Sequence, residues 1–121
     1  MTRASIFSFF ATALPALPSQ VTFNRDVAPI IFEYCAPCHR PGEAAPFSLL
    51  SYEDVKKRAS QMATVTESRY MPPWLPEPGY GNFAGERRLS ARQIETIRKW
   101  AEQGAVEGDV RDRPPAPAFT E

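Results

Sequence analysis

Both cysteines of the chain, Cys35 and Cys38, and its single histidine, His39, fall within five consecutive residues, C-A-P-C-H. Three methionines aside, that window holds the whole stock of soft metal ligands. Two thiols three residues apart can form thioethers with the two vinyl groups on one edge of a haem, and the next residue then lies beneath the iron. C-x-x-C-H is the attachment signature for such a group, so Cys35 and Cys38 are expected to hold one covalent haem c, with His39 as the proximal ligand. Three other uses compete. A thioredoxin-like redox pair would sit beside a βαβ pattern, and none is present. A zinc site would need a fourth ligand, and no other cysteine or histidine exists. A disulfide between Cys35 and Cys38 would close a very small loop and leave His39 without a role.

One histidine excludes a bis-histidine haem within a monomer, so the sixth position falls to another residue or stays open. Met62 lies on the apolar face of a helix, where a methionine is ordinarily core filler. Met71 directly precedes Pro72 and Pro73, which stiffen the backbone there, and is the expected ligand. A His39/Met71 pair raises the reduction potential and closes the iron to small molecules, which suits electron transfer to a redox partner protein rather than catalysis. The alternative is an open-site haem enzyme or gas sensor, which requires a distal polar group. With no second histidine, only an arginine or tyrosine could serve.

Trp74 and Tyr80, with Phe83, Phe47, Leu49 and Leu50, are candidates to wall the haem. Arg87 and Arg88 are candidates to pair with its propionates through their planar guanidinium forks, the competing reading being a solvated turn. The far nitrogen of His39 needs a backbone carbonyl to orient it, and Pro41 or Pro46 could place one.

Three helices must position these groups. In the first, Asp26 can cap, Pro29 is tolerated in the first turn, and Val27, Ile30, Ile31 and Tyr34 recur at helical spacing, delivering the chain into Cys35. In the second, Ser51 caps, Leu50 and Val55 form a staple, and Tyr52, Val55, Ala59 and Met62 share a face, with Lys56, Lys57, Arg58 and Gln61 pointing away. In the third, Ser90 and Gln93 form a capping box, Leu89 and Ile94 the staple, and Ile94, Ile97 and Ala101 the buried stripe beside Trp100, until Gly104 ends it. The prolines and glycines from Met71 to Gly85 make a long irregular loop. No sustained two-residue alternation marks a strand, so the domain is expected to be all-α.

The 121 residues, 43% of them hydrophobic, suffice for one modest domain. Fourteen basic residues balance fourteen acidic ones, which gives no electrostatic case for nucleic acid or an anionic membrane surface. Residues 1–20 carry Arg3, an apolar stretch and then small residues, and read as a secretory signal cleaved near Ala13, Ala16 or Ser19. A periplasmic or otherwise exported protein follows, with no transmembrane span in the mature chain because no stretch reaches the ~20 apolar residues required. Residues 110–121 are proline-rich and polar, and read as an extended linker or disordered tail.

The strings V-T-F-N-R-D-V-A-P-I-I, C-A-P-C-H-R-P-G-E-A-A-P-F-S-L-L, S-Y-E-D-V, M-P-P-W and G-Y-G-N-F, closed by L-S-x-x-Q-I-x-x-I-x-x-W-x-x-x-G-A, resemble bacterial class I-like cytochrome c domains. Such domains are found alone or next to redoxin-like or copper ascorbate-dependent-monooxygenase-like regions. The resemblance covers 21–109 and implies a small cytochrome c fold, with three main helices and a Met-bearing loop around the haem, ligated by His39 and Met71. Where that group commonly has an acidic residue just before M-P-P-W, this chain has Tyr70.

Overall fold

Thr22 rather than Asp26 caps the first helical segment: its side chain accepts a hydrogen bond from the Arg25 backbone N–H, while its own N–H donates to Asp26 Oδ2 at 2.8 Å. A carboxylate in the first turn satisfies an orphan donor as well as a cap would. The computed structural model describes residues 10–15, 19–77 and 79–120. A π-helical turn, Phe23–Val27, runs straight into α1, Ala28–Tyr34, with Pro29 in its first turn where no backbone donor is missed. Val27, Ile30 and Ile31 are buried as their spacing requires.

The expected second helix is two. Ser51 caps α2, Tyr52–Lys56, by accepting from the Asp54 N–H, and α3, Ala59–Glu67, starts after a break at Lys57 and Arg58. Val55, Ala59 and Met62 nevertheless all reach the core. The Ser90/Gln93 capping box starts α4, Ala91–Glu102, which buries Ile97 and Trp100. Gly104, at φ +100°, takes the chain out of the helix in the left-handed conformation that glycine tolerates. A short 3-10 turn, Val110–Asp112, follows. Among the described residues the fold is therefore all-helical and without strands, with four α-helices.

Helices α3 and α4 pack together, and α4 also packs on the π-turn. Trp100 is fully buried and donates its indole N–H to the Val106 carbonyl at 2.9 Å. Phe23 packs on it and on Tyr52 with tilted rings, and edge-on against Phe32. Backbone bonds from Phe23 to Val106 and from Asn24 to Glu107, each 2.9 Å, lock the two ends of the domain together. The first helix is thereby fixed, and its C-terminus hands the chain to Cys35.

Of the segment read as a secretory signal, residues 1–9 and 16–18 lie outside the described residues, and residues 10–15, 19 and 20 have no regular structure. Residues 113–120 have no regular structure and fold back on the domain: Arg113 pairs with Glu107 at 2.9 Å, and the Phe119 ring lies under the Arg40 guanidinium. No helix among the described residues is long and apolar enough to cross a membrane.

Candidate functional site

The last turn of α1 closes with the Cys35 and Ala36 N–H groups both donating to the Ile31 carbonyl, and the next turn folds the His39 N–H back onto the Cys35 carbonyl at 2.9 Å. Cys35, Cys38 and His39 are thereby wound onto one side of a tight loop. They line a cavity of about 410 Å³, walled mainly by apolar side chains, within the size range of small-molecule and cofactor pockets. Phe47 and Leu49 wall it from the segment after His39, while Met62 and Val65 do so from α3. Met71 closes the ring, its N–H held by the Val65 carbonyl at 3.0 Å beyond the end of α3.

Both methionines therefore face the same cavity, but from different settings. Met62 is 6% exposed and belongs to the hydrophobic core, whereas Met71 is half-buried in the loop and outside that core.

The imidazole is anchored. His39 Nδ1 lies 3.2 Å from the Phe47 carbonyl, which can only accept, so Nδ1 is the donor and, in the neutral ring, Nε2 is the nitrogen with the lone pair. The anchor is Phe47 rather than the Pro41 or Pro46 expected. The Leu49 N–H bonds the His39 carbonyl at 2.9 Å and draws the segment back so that the carbonyl one residue beyond Pro46 faces the ring. The Phe47 ring also packs on the imidazole, centroid to centroid 4.6 Å.

The two thiols differ. Cys38 is exposed and Cys35 half-buried. Burial first, and the neighbouring Cys38 second, push the Cys35 thiol up to about 12. Both cysteines are free of any disulfide. Among the described residues no three His, Cys, Asp or Glu side chains come close enough to hold a metal ion by themselves.

The remaining expected residues divide. Arg87 lines the cavity, with Nη2 donating to the Pro73 carbonyl at 3.3 Å. Arg88 turns away to pair with Glu86 at 3.1 Å and to donate to the Pro76 carbonyl. With Trp74 it lines a small separate cavity of about 30 Å³ that shares Thr66, Met71 and Pro72 with the main one. Tyr80 stands 82% exposed on the loop, and Leu50 is not part of the wall.

Arg58, expected to point to solvent, is half-buried and lines the main cavity, while Gln61 stays exposed, as expected, at its rim. The break between α2 and α3 changes the direction of Arg58, which a continuous helical projection does not anticipate. Among the described residues no Asp or Glu lines the cavity, and its charged side chains are Arg58 and Arg87.

The chain's own chemistry fits a large apolar ligand with two electrophilic edge groups and a metal centre. It offers two thiols on one edge, an imidazole presenting Nε2, a thioether from the Met71 loop, apolar walls, and cationic groups for acidic substituents. Set against known protein families, curated proteins and solved structures, the chain matches none of them.

Proposed function

We propose that this chain is an exported c-type cytochrome that passes single electrons to a redox partner protein, through one haem held by Cys35 and Cys38 and ligated by His39 and Met71. The observation that carries the proposal is that residues from two separate segments, the C-A-P-C-H loop and the Met-Pro-Pro loop, line one apolar cavity. Cys35 and Cys38 would hold the haem through thioethers, each S–H adding across a vinyl double bond with nothing released. The Phe47 carbonyl accepts from the His39 Nδ1–H, which would leave Nε2 for the iron and add to its basicity. Met71 is preferred to Met62 because its setting in the loop leaves it free of core packing. The bound haem supplies a one-electron ferric/ferrous couple, whose potential a methionine ligand raises. The apolar walls exclude water and keep the local dielectric low.

The test is the visible spectrum, oxidised and reduced, of protein made in a strain able to attach haem, for the parent and for Met71→Ala. The expected result is a low-spin parent with the weak long-wavelength methionine-to-iron band, lost in Met71→Ala while the haem stays covalently bound. A parent that lacks this band and binds carbon monoxide readily when reduced would refute the carrier and favour an open-site enzyme or gas sensor. A colourless parent would refute both.

A further inference from the structure

Arg58 sits in the break between α2 and α3, at φ −116° and ψ +10°, with no side-chain cap to account for the interruption. Its Nε is buried and has no hydrogen-bond partner. A buried donor without an acceptor is costly, so something else must hold the guanidinium in place. It lies 3.6 Å from the centroid of the Phe47 ring, a close cation–π stack. That ring packs in turn on the His39 imidazole at 4.6 Å, and the carbonyl of the same residue receives the imidazole Nδ1 proton at 3.2 Å. Phe47 is therefore gripped by its ring and used through its backbone.

We infer that Arg58 is a positioning residue for His39: by stacking on the Phe47 ring it fixes the segment whose carbonyl orients the imidazole. This rests on the proposed role of His39 as a ligand, and it adds a residue from a different part of the chain to the support of that ligand. The planar guanidinium suits the task, because it covers a ring face in a way a lysine ammonium does not.

His39 is the only histidine, so its ring signals in a nuclear magnetic resonance spectrum need no assignment among rivals. The experiment measures solvent exchange of the Nδ1 proton in the reduced, haem-loaded full chain, for the parent, Arg58→Gln, Arg58→Lys, Phe47→Leu and Lys57→Gln. Arg58→Gln is expected to exchange about tenfold faster, between the values for an exposed and a fully desolvated cation–π contact, with Arg58→Lys intermediate. Phe47→Leu keeps the carbonyl but loses the ring, with both its Arg58 and its imidazole contact, and is expected to exchange at least as fast as Arg58→Gln. It also carries the test if Arg58→Gln does not fold. Lys57→Gln removes the adjacent charge without touching the stack and is expected to behave as the parent. Parent-like exchange in Arg58→Gln or Phe47→Leu, or equal acceleration in Lys57→Gln, would overturn the inference. If the parent takes up no haem, the functional reading fails on its own. The same variants are then compared in the haem-free chain, where ring nitrogen shifts report the Nδ1–H tautomer, and a tautomer indifferent to Arg58 would sink the positioning role separately.

Discussion

Gly108 and Gly42 share the same backbone conformation, φ +83°, yet replacing each by alanine should have very different effects. At Gly42 an added Cβ meets nothing within 4 Å, so Gly42→Ala bears only the cost of a left-handed alanine, roughly 1–2 kcal/mol. At Gly108 the same atom would stand 2.5 Å from Thr22 Cβ, 2.7 Å from its Oγ1 and 2.9 Å from its Cγ2. Thr22 cannot yield cheaply, because its Oγ1 accepts from the Arg25 N–H and its backbone begins the π-turn. Adding an overpacking cost of about 1–3 kcal/mol and a lost cap of about 1 kcal/mol puts Gly108→Ala at roughly 3–6 kcal/mol. That is a large share of a typical domain's stability of about 5–15 kcal/mol. The assay is urea unfolding of the parent and both variants, with the transition slope checked for constancy. Gly108→Ala should lose at least about 2 kcal/mol more than Gly42→Ala by the same arithmetic. Equal losses would refute the claim that contact between the chain's two ends, rather than backbone conformation alone, demands glycine at 108. The consequence reaches the site, since the segment starting at Thr22 is the one that leads through α1 to Cys35.

In the haem-free chain, alkylation should modify the exposed Cys38 well before Cys35, whose thiol burial pushes up to about 12 from an ordinary 9.0; mass mapping after a short reaction near pH 8 checks this, and equal labelling would contradict it. Because that pKa is raised in the fold, the unfolded chain releases the proton first, so stability should fall as pH rises from about 9.0 towards about 12. A Cys35→Ser variant should flatten that fall. Ser90→Ala removes the acceptor for the Gln93 N–H at the start of α4 and should cost about 1 kcal/mol in thermal or urea unfolding.

The helices were legible because their starts are written in local chemistry. Ser51 and Ser90 cap as their spacing to Asp54 and Gln93 announces, and the apolar stripes run through Val27, Ile30, Ile31, Val55, Met62, Ile97 and Trp100 into the core. The cavity's thiols, imidazole and Met71 were legible for a similar reason: few residue types can do this chemistry, and the chain has hardly any to spare. The Phe47 anchor was hidden. A backbone carbonyl carries no residue signature, and its direction is decided by the return of the chain at Leu49. The first cap was misplaced because Thr22 and Asp26 share the work, and only geometry shows which side chain accepts from which N–H. The backward fold of the tail brings Phe119 onto Arg40, a long-range contact that composition cannot foresee.

Arg58 shows most clearly why part of the site escapes a reading by periodicity. Lys56, Lys57 and Arg58 contain no helix breaker, and all three are good helix formers, so a continuous helix with three solvated cations is the local expectation. The observed break at Lys57 and Arg58 must therefore come from tertiary contacts. The contact present at that point is the Phe47 ring, 3.6 Å from the Arg58 guanidinium. Lys57 instead stays outside and pairs with Asp54 at 3.2 Å, the ordinary behaviour of an exposed helical cation. Two adjacent basic residues thus follow opposite rules, one governed by solvent and one by an aromatic face. An interruption that local propensity does not explain marks a place where the rest of the molecule pulls harder than the helix, and here the pull leads, through one aromatic residue, to His39.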